Sequence, residues 1–224
     1  MKVINDKVEK GEKMKKFKID WNGSDQVDIA AAKSTIRDLA KGAHEKIDLG
    51  EKERREGVIT ERLTAMKEYK EANVVLVYLS NKFEVSTRRF LEVAWQDSKI
   101  VGVPKCDKET GTMAFYAINS YQDIKTDESG FSEPSCKVLL TDFSHSICIV
   151  PALVFDYKGY RIGYGSGFYD RFLVNYPWTK IGIALSTFVQ RAVPKEDADI
   201  GVDYIVTEKF TKRVGKAPLT QGMM

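Results

Sequence analysis

Short apolar runs alternate with amphipathic stretches through the middle of the chain. Between residues 29 and 47, apolar side chains recur at three- and four-residue spacing, with Ile36, Leu39, Ala43 and Ile47 on one face, which predicts an amphipathic helix. Lys33 and Arg37, four apart, share another face of that helix; spacing alone makes them a solvated charged stripe. A second such helix is predicted over residues 50–69, with Val58, Ile59, Leu63 and Met66 inward. Residues 73–79, NVVLVYL, form a β-branched run of the buried parallel-strand type. They lead through a polar turn into a predicted helix over 88–98, which Ser86 or Thr87 could cap.

Further strands are expected at 100–104, 113–120, 147–155, 181–185 and 204–207, with 147–155 central and a short helix over 170–176. Residues 121–134, rich in Asp, Gly and Ser, read as a long loop, and 193–203 as an acidic one. The alternation of short buried strands with helices predicts an α/β fold: one domain over 29–208, a mostly parallel central sheet and helices on both faces. Residues 1–28 are dense in Lys, Glu and Asp and are expected to be a charged N-terminal extension. Residues 209–224 have little periodicity and are expected to be a frayed tail.

Composition narrows the function classes. The chain has 224 residues, and 35 Lys+Arg against 32 Asp+Glu leave a net charge of only +3 with no concentrated basic stripe, so nucleic acid is not suggested. Cys106, Cys136 and Cys148 are odd in number and widely spaced, which indicates neither a disulfide framework nor a zinc ribbon and points to a reducing cytoplasm. No run of about 18 apolar residues occurs, and the Lys-rich N-terminus lacks a signal-peptide core. The expectation is a cytoplasmic protein that neither spans a membrane nor is secreted.

The chemistry concentrates in residues 149–173, IVPALVFDYKGYRIGYGSGFYDRFL. Gly163, Gly165 and Gly167 remove side chains at alternate positions, which permits positive φ angles and lets backbone N–H groups face phosphate oxygens. No Lys follows the last glycine, so this is not a P-loop; G-x-G-x-G is not the dinucleotide fingerprint G-x-G-x-x-G; and Ser166 does not sit in G-x-S-x-G. With only His44 and His145 present, a histidine-based triad or zinc site has little to draw on. What remains is a glycine loop flanked by Arg161 and ending on Asp170, which suits a polyphosphate with magnesium. Asp170 is the first candidate ligand, and Asp199 or Asp203 in the acidic loop a second. Glu84 lies just past the carboxyl end of a predicted strand, where open α/β sheets place ligands, or else opposes a helix dipole as a first-turn acid.

Several motifs in one order now carry a family likeness: KSTIR at 33–37, EVST at 84–87, GFSEP at 130–134, VPA at 150–152, FD at 155–156, RIGYGSGFYDRF at 161–172, and the acids from 199 to 203. Over roughly residues 32–210 the chain resembles the 5-formyltetrahydrofolate cyclo-ligases, or methenyltetrahydrofolate synthetases. The resemblance implies ATP- and magnesium-dependent conversion of 5-formyltetrahydrofolate to 5,10-methenyltetrahydrofolate, by phosphorylation of the formyl oxygen and ring closure by N10. ADP and phosphate are released, and no covalent enzyme intermediate is required. The implied partner is a folate, possibly polyglutamylated, on a monomer or small homo-oligomer.

Carried over by residue, the resemblance places Lys33, Ser34, Thr35, Ile36 and Arg37 on the ATP phosphates. It places Arg161, Ile162, Gly163, Tyr164, Gly165, Ser166, Gly167, Phe168 and Tyr169 on the nucleotide, with Arg161 and Tyr169 as the catalytic pair. Leu79 and Glu84 belong to the pterin side, with Tyr164, Gly165, Ser166, Gly167 and Phe168 also against the folate. Asp170 and Asp199 would be the magnesium ligands. The chain departs from the family pattern at Ala198, where a larger polar residue is usual, at Ser166, at Phe168, which lacks the usual hydroxyl, and at Ala152. A paralogue acting on another substrate, or a non-catalytic nucleotide- or folate-binding protein, are the alternative readings.

Overall fold

The computed structural model describes residues 2–4, 18–21, 28–128 and 130–214 of the chain. Strands β1 (Lys2–Ile4) and β2 (Lys18–Asp20) pair antiparallel; the other residues expected in an extension, up to 27, lie outside this description apart from Trp21. Helix α1 (Ile29–His44) starts at Asp28, whose carboxylate accepts from the Ala31 amide, and α2 (Leu49–Ala65) starts at Asp48, which accepts from Glu51 in the same way. The single helix expected over 50–69 is interrupted. Met66 takes extended backbone and a buried position, and α3 (Lys67–Glu71) follows in a new direction that buries Tyr69.

Strand β3 (Val74–Val77), helix α4 (Arg88–Gln96) and strand β4 (Ile100–Asp107) form a parallel crossover, and β5 (Thr112–Ile118) returns antiparallel to β4. The stretch expected as loop from 121 to 134 is more ordered than that. A capping box between Ser120 and Asp123 closes a 3-10 turn, and β6 (Ile124–Thr126) then pairs with β7 (Ser132–Pro134). Glu133 of this hairpin bridges Lys125 at 2.8 Å and Lys105 of β4 at 3.5 Å.

Next come β8 (Leu139–Leu140), β9 (Ser146–Val150), β10 (Val154–Asp156) and β11 (Arg161–Ile162). The expected single strand over 147–155 is thus two. Pro151 has no N–H for the ladder, so β9 stays in the main sheet while β10 joins a separate three-stranded sheet. Helix α5 (Phe168–Leu173), β12 (Thr179–Ile183), β13 (Val189–Gln190), β14 (Tyr204–Val206) and β15 (Thr211–Arg213) complete the order. Strand β15 pairs antiparallel with β14 inside the stretch expected to be frayed; residues 215–224 lie outside the described part.

The main sheet runs β15-β14-β12-β9-β3-β4-β5-β8, with β14 through β4 parallel and the flanking strands antiparallel. Period-two alternation assigns its faces. Val75, Val77, Ile147 and Ile149 join Ile36, Ile59, Leu63 and Phe90 of α1, α2 and α4 in one core. Val74, Leu76, Cys148 and Val150 join Phe115 and Leu173 of α5 in the other. Both faces are therefore covered by helices, as the sequence pattern predicts. Among the described residues no helix is long and apolar enough to cross a membrane.

Phe155 of the small sheet lies against the backbone of Gly182 in β12, where an added Cβ would stand 2.5 Å from two ring carbons. Gly182→Ala should therefore overpack the core and destabilise the protein by about 1–3 kcal/mol, visible as a lower urea midpoint with unchanged m-value.

Candidate active site

Residues 163–167 cross from β11 to α5. Gly165 has φ +100° and a Cβ there would lie 3.2 Å from the guanidinium carbon of Arg37; Gly167 has φ +68° and a Cβ would lie 2.8 Å from a guanidinium nitrogen of Arg171. Only glycine meets both demands. Gly163 differs from the sequence expectation: its φ is negative and a Cβ would meet nothing within 4 Å. The space beside it is open.

The loop is tied on each side. Arg37 Nε donates to the Gly163 carbonyl at 2.9 Å, and the Tyr164 hydroxyl donates to Asn81 Oδ1 at 2.6 Å. Arg171 donates to the carbonyls of Ser166 and Gly111 at 2.9 and 2.8 Å, and its guanidinium lies 5.2 Å over the Phe168 ring. Asn81 follows the carboxyl end of β3, and its amide donates to Glu84 Oε2 at 3.0 Å. The glycine loop and Glu84 thus share one asparagine.

Glu84 is 5% exposed. Burial raises its pKa to about 7, against the opposing pull of the Asn81 amide and the Lys52 charge. It is not a first-turn helix acid, because α4 begins four residues later. Leu79, beside it on the predicted pterin side, is half-buried and packs on the main core. Tyr169 is held neutral chiefly by burial, and its hydroxyl is buried with no hydrogen-bond partner among the described residues. That is the kind of orphaned donor that native structures rarely keep without a use.

The acidic residues approach from two directions. Arg161, in β11, is buried and donates from Nη2 to Asp170 Oδ1 at 2.9 Å and from Nη1 to the Ile200 carbonyl at 2.5 Å. The Ile200 amide donates to the same Asp170 oxygen at 3.0 Å, which brings residue 199 next to Asp170. On α1, the Lys33 ammonium contacts Asp199 Oδ2 at 2.6 Å and Glu196 Oε2 at 2.8 Å. Burial disfavours its charge, but the bonds from the two carboxylates outweigh this and raise its pKa. Lys33 is therefore no solvated stripe residue, as spacing alone had it. Asp203, the other acid weighed for metal, is committed elsewhere, accepting from the Lys180 amide and ammonium at 2.8 and 3.2 Å.

Two expected nucleotide contacts change character. Ile36 and Ile162 are fully buried in the core, so their side chains face away from any ligand, whereas Ser34 and Thr35 are exposed on α1. Asn81, Glu196 and the Ile200 peptide are residues of the site that the sequence did not single out; Asn81 had read only as a turn residue. Among the described residues no three His, Cys, Asp or Glu side chains converge on a metal position. Two carboxylates suit a magnesium ion that keeps most of its shell as water and phosphate oxygen, and do not suit an ion held by protein alone.

Residues 29–208 match the sequence pattern of the 5-formyltetrahydrofolate cyclo-ligase family. The chain belongs to that family. The 5-formyltetrahydrofolate cyclo-ligase of Escherichia coli K12 is 30% identical over 142 residues, 61% of this chain and 78% of its own. The Haemophilus influenzae cyclo-ligase is 28% identical over 148 residues, covering 63% and 79%. In structure, the 5,10-methenyltetrahydrofolate synthetase of Aquifex aeolicus superposes with a TM-score of 0.72 at 27% identity, over 85% of this chain and 97% of that one. The cyclo-ligase relationship thus spans the whole domain that carries Lys33, Glu84, the glycine loop and both acids.

The buried Glu84 gives this cyclo-ligase a pH signature. Its carboxyl titrates near 4.5 when unfolded and at about 7 when folded, so between those values the folded protein binds more protons, and stability falls as pH rises through that window. Glu84→Gln should remove this dependence and be more stable than the parent at pH 8 by on the order of 3 kcal/mol, with the gap closing near pH 4.5, as urea unfolding across pH would report.

Proposed function

We propose that the protein converts 5-formyltetrahydrofolate to 5,10-methenyltetrahydrofolate with ATP and magnesium, releasing ADP and phosphate. The observation that carries this reading is the run of contacts from Arg37, through the glycine loop, to Tyr164, Asn81 and Glu84, with Lys33 paired to Asp199 of the acidic loop. One end of that run is rich in cations and backbone donors. The other is an aromatic-lined carboxyl.

Lys33, Arg37 and Arg161 would meet the phosphates, with the open backbone at Gly163 allowing close approach. Glu84 would receive the amino-pyrimidine edge of the pterin through two hydrogen bonds; donors arriving there favour the ionised carboxylate, which its pKa near 7 leaves within reach. Asp170 and Asp199 would hold magnesium, which neutralises charge on the transferring phosphoryl group. Arg161, held by Asp170 and Ile200, would stabilise the negative charge of the phosphoryl group as it transfers to the formyl oxygen.

The chemistry follows from the weakness of the leaving group. The formyl oxygen on N5 attacks the γ-phosphorus as the bond to ADP breaks. N10 then attacks the formyl carbon, the carbon–oxygen bond breaks with loss of phosphate, and the N10 proton leaves to solvent. Nucleophile and carbon belong to one molecule, so closure is entropically favoured once the folate is held in place. The protein's task is positioning and charge stabilisation rather than covalent attack.

Purified protein with 5-formyltetrahydrofolate and Mg-ATP should develop the near-ultraviolet absorbance of the methenyl product; a signal indifferent to ATP would rule the reading out. Asp170→Asn should lower kcat/KM by roughly 10–100-fold. Tyr169→Phe should lower it about tenfold, the worth of one hydrogen bond to a ligand, while leaving the melting temperature unchanged or higher, because the hydroxyl has no partner in the protein alone.

A further inference from the structure

One charged side chain at the site has no part in that chemistry. Glu196 sits in the 193–203 loop, its carboxylate 2.8 Å from the Lys33 ammonium and its amide donating to Asp199 Oδ2 at 2.7 Å. The Lys33 side chain is 9% exposed, that of Asp199 18% and that of Glu196 54%. A cation this buried has to be paired. Two carboxylates of one loop therefore occupy the ammonium, and one of them, Asp199, is the second acid proposed for magnesium.

A triphosphate brought to Lys33 would carry several negative charges to within a few ångströms of both acids, and like charges at that range repel. Of the two, Glu196 is the one with solvent to move into. We propose that Glu196 is a resident counter-ion: it holds Lys33 in the nucleotide-free enzyme, is displaced by the phosphates, and by that exchange frees the Asp199 carboxylate from the ammonium for a cation. This rests on reading Lys33 as a phosphate contact. A ligand that must displace an internal partner binds more weakly than the bare site would allow. Glu196 thereby sets how well the site holds metal-free polyphosphate, and it biases the enzyme toward the magnesium complex, in which Asp199 regains a cation.

The test is calorimetric titration of the full-length protein with inorganic tripolyphosphate, without and then with magnesium. Glu196→Gln should bind metal-free tripolyphosphate about three- to fivefold more tightly than the parent, the scale of a partly exposed ion pair, and should show a smaller gain on adding magnesium. Lys33→Ala should bind it at least roughly tenfold more weakly; should that variant fold poorly by circular dichroism, Lys33→Gln replaces it. If loss of Lys33 weakens binding but Glu196→Gln leaves it unchanged or weaker, the counter-ion role is overturned while Lys33 keeps its phosphate contact. If Glu196→Gln loses affinity only when magnesium is present, Glu196 is a metal ligand and the role is likewise overturned. If loss of Lys33 changes nothing, both the exchange and the phosphate reading of Lys33 fall.

Discussion

The geometry of the site depends on a single carboxylate oxygen. Asp170 Oδ1 accepts from Arg161 at 2.9 Å and from the Ile200 amide at 3.0 Å, so it joins β11, the first turn of α5 and the acidic loop. Arg161 is buried, and a buried guanidinium stripped of its acid is far costlier than an exposed one. The Ile200 carbonyl completes the arrangement by accepting from the same guanidinium. The two ends of the glycine loop and the acidic loop 30 residues further on are held by one charge pair and one peptide group.

Around that point the charged side chains already have partners within the protein. Lys33 meets Asp199 and Glu196, and Arg161 meets Asp170, while Arg37 spends its Nε on the Gly163 carbonyl. The cations that would meet phosphates and the acids that would meet magnesium thus satisfy each other when neither ligand is present. On the proposed reading, binding a magnesium nucleotide would be an exchange of partners rather than the filling of a bare electrostatic hole. Such an exchange keeps buried charges compensated at each stage, which a low-dielectric site requires.

Around Glu84 and Tyr169 the restraint is burial instead of pairing. Glu84 has one backbone donor from Asn81 and little solvent, and the Tyr169 hydroxyl has no hydrogen-bond partner among the described residues. Asn81 links Glu84 to the glycine loop, because its amide donates to Glu84 and its side-chain oxygen accepts from Tyr164. Ordering of the loop and of the Glu84 carboxyl are therefore coupled through one residue.

The fold class was legible in the sequence because it follows from local periodicity: β-branched runs such as 74–77 and the three-four spacing in α1 say which faces are apolar, and burial does the rest. The glycine loop and the cyclo-ligase motifs were legible for a related reason, since close backbone approach and positive φ leave a mark on composition. Breaks set by one residue were harder. Met66 splitting a helix, and Pro151 sending β10 into another sheet, depend on what each segment packs against. The sequence by itself determined which residues carry charge and where the chain can bend. Only the tertiary structure decided that Ile162 faces the core, that Asn81 joins Glu84 to the glycine loop, and that Glu196 shares Lys33 with Asp199 across more than 160 positions. Such pairings are fixed by long-range packing, which leaves no periodic signal in the chain.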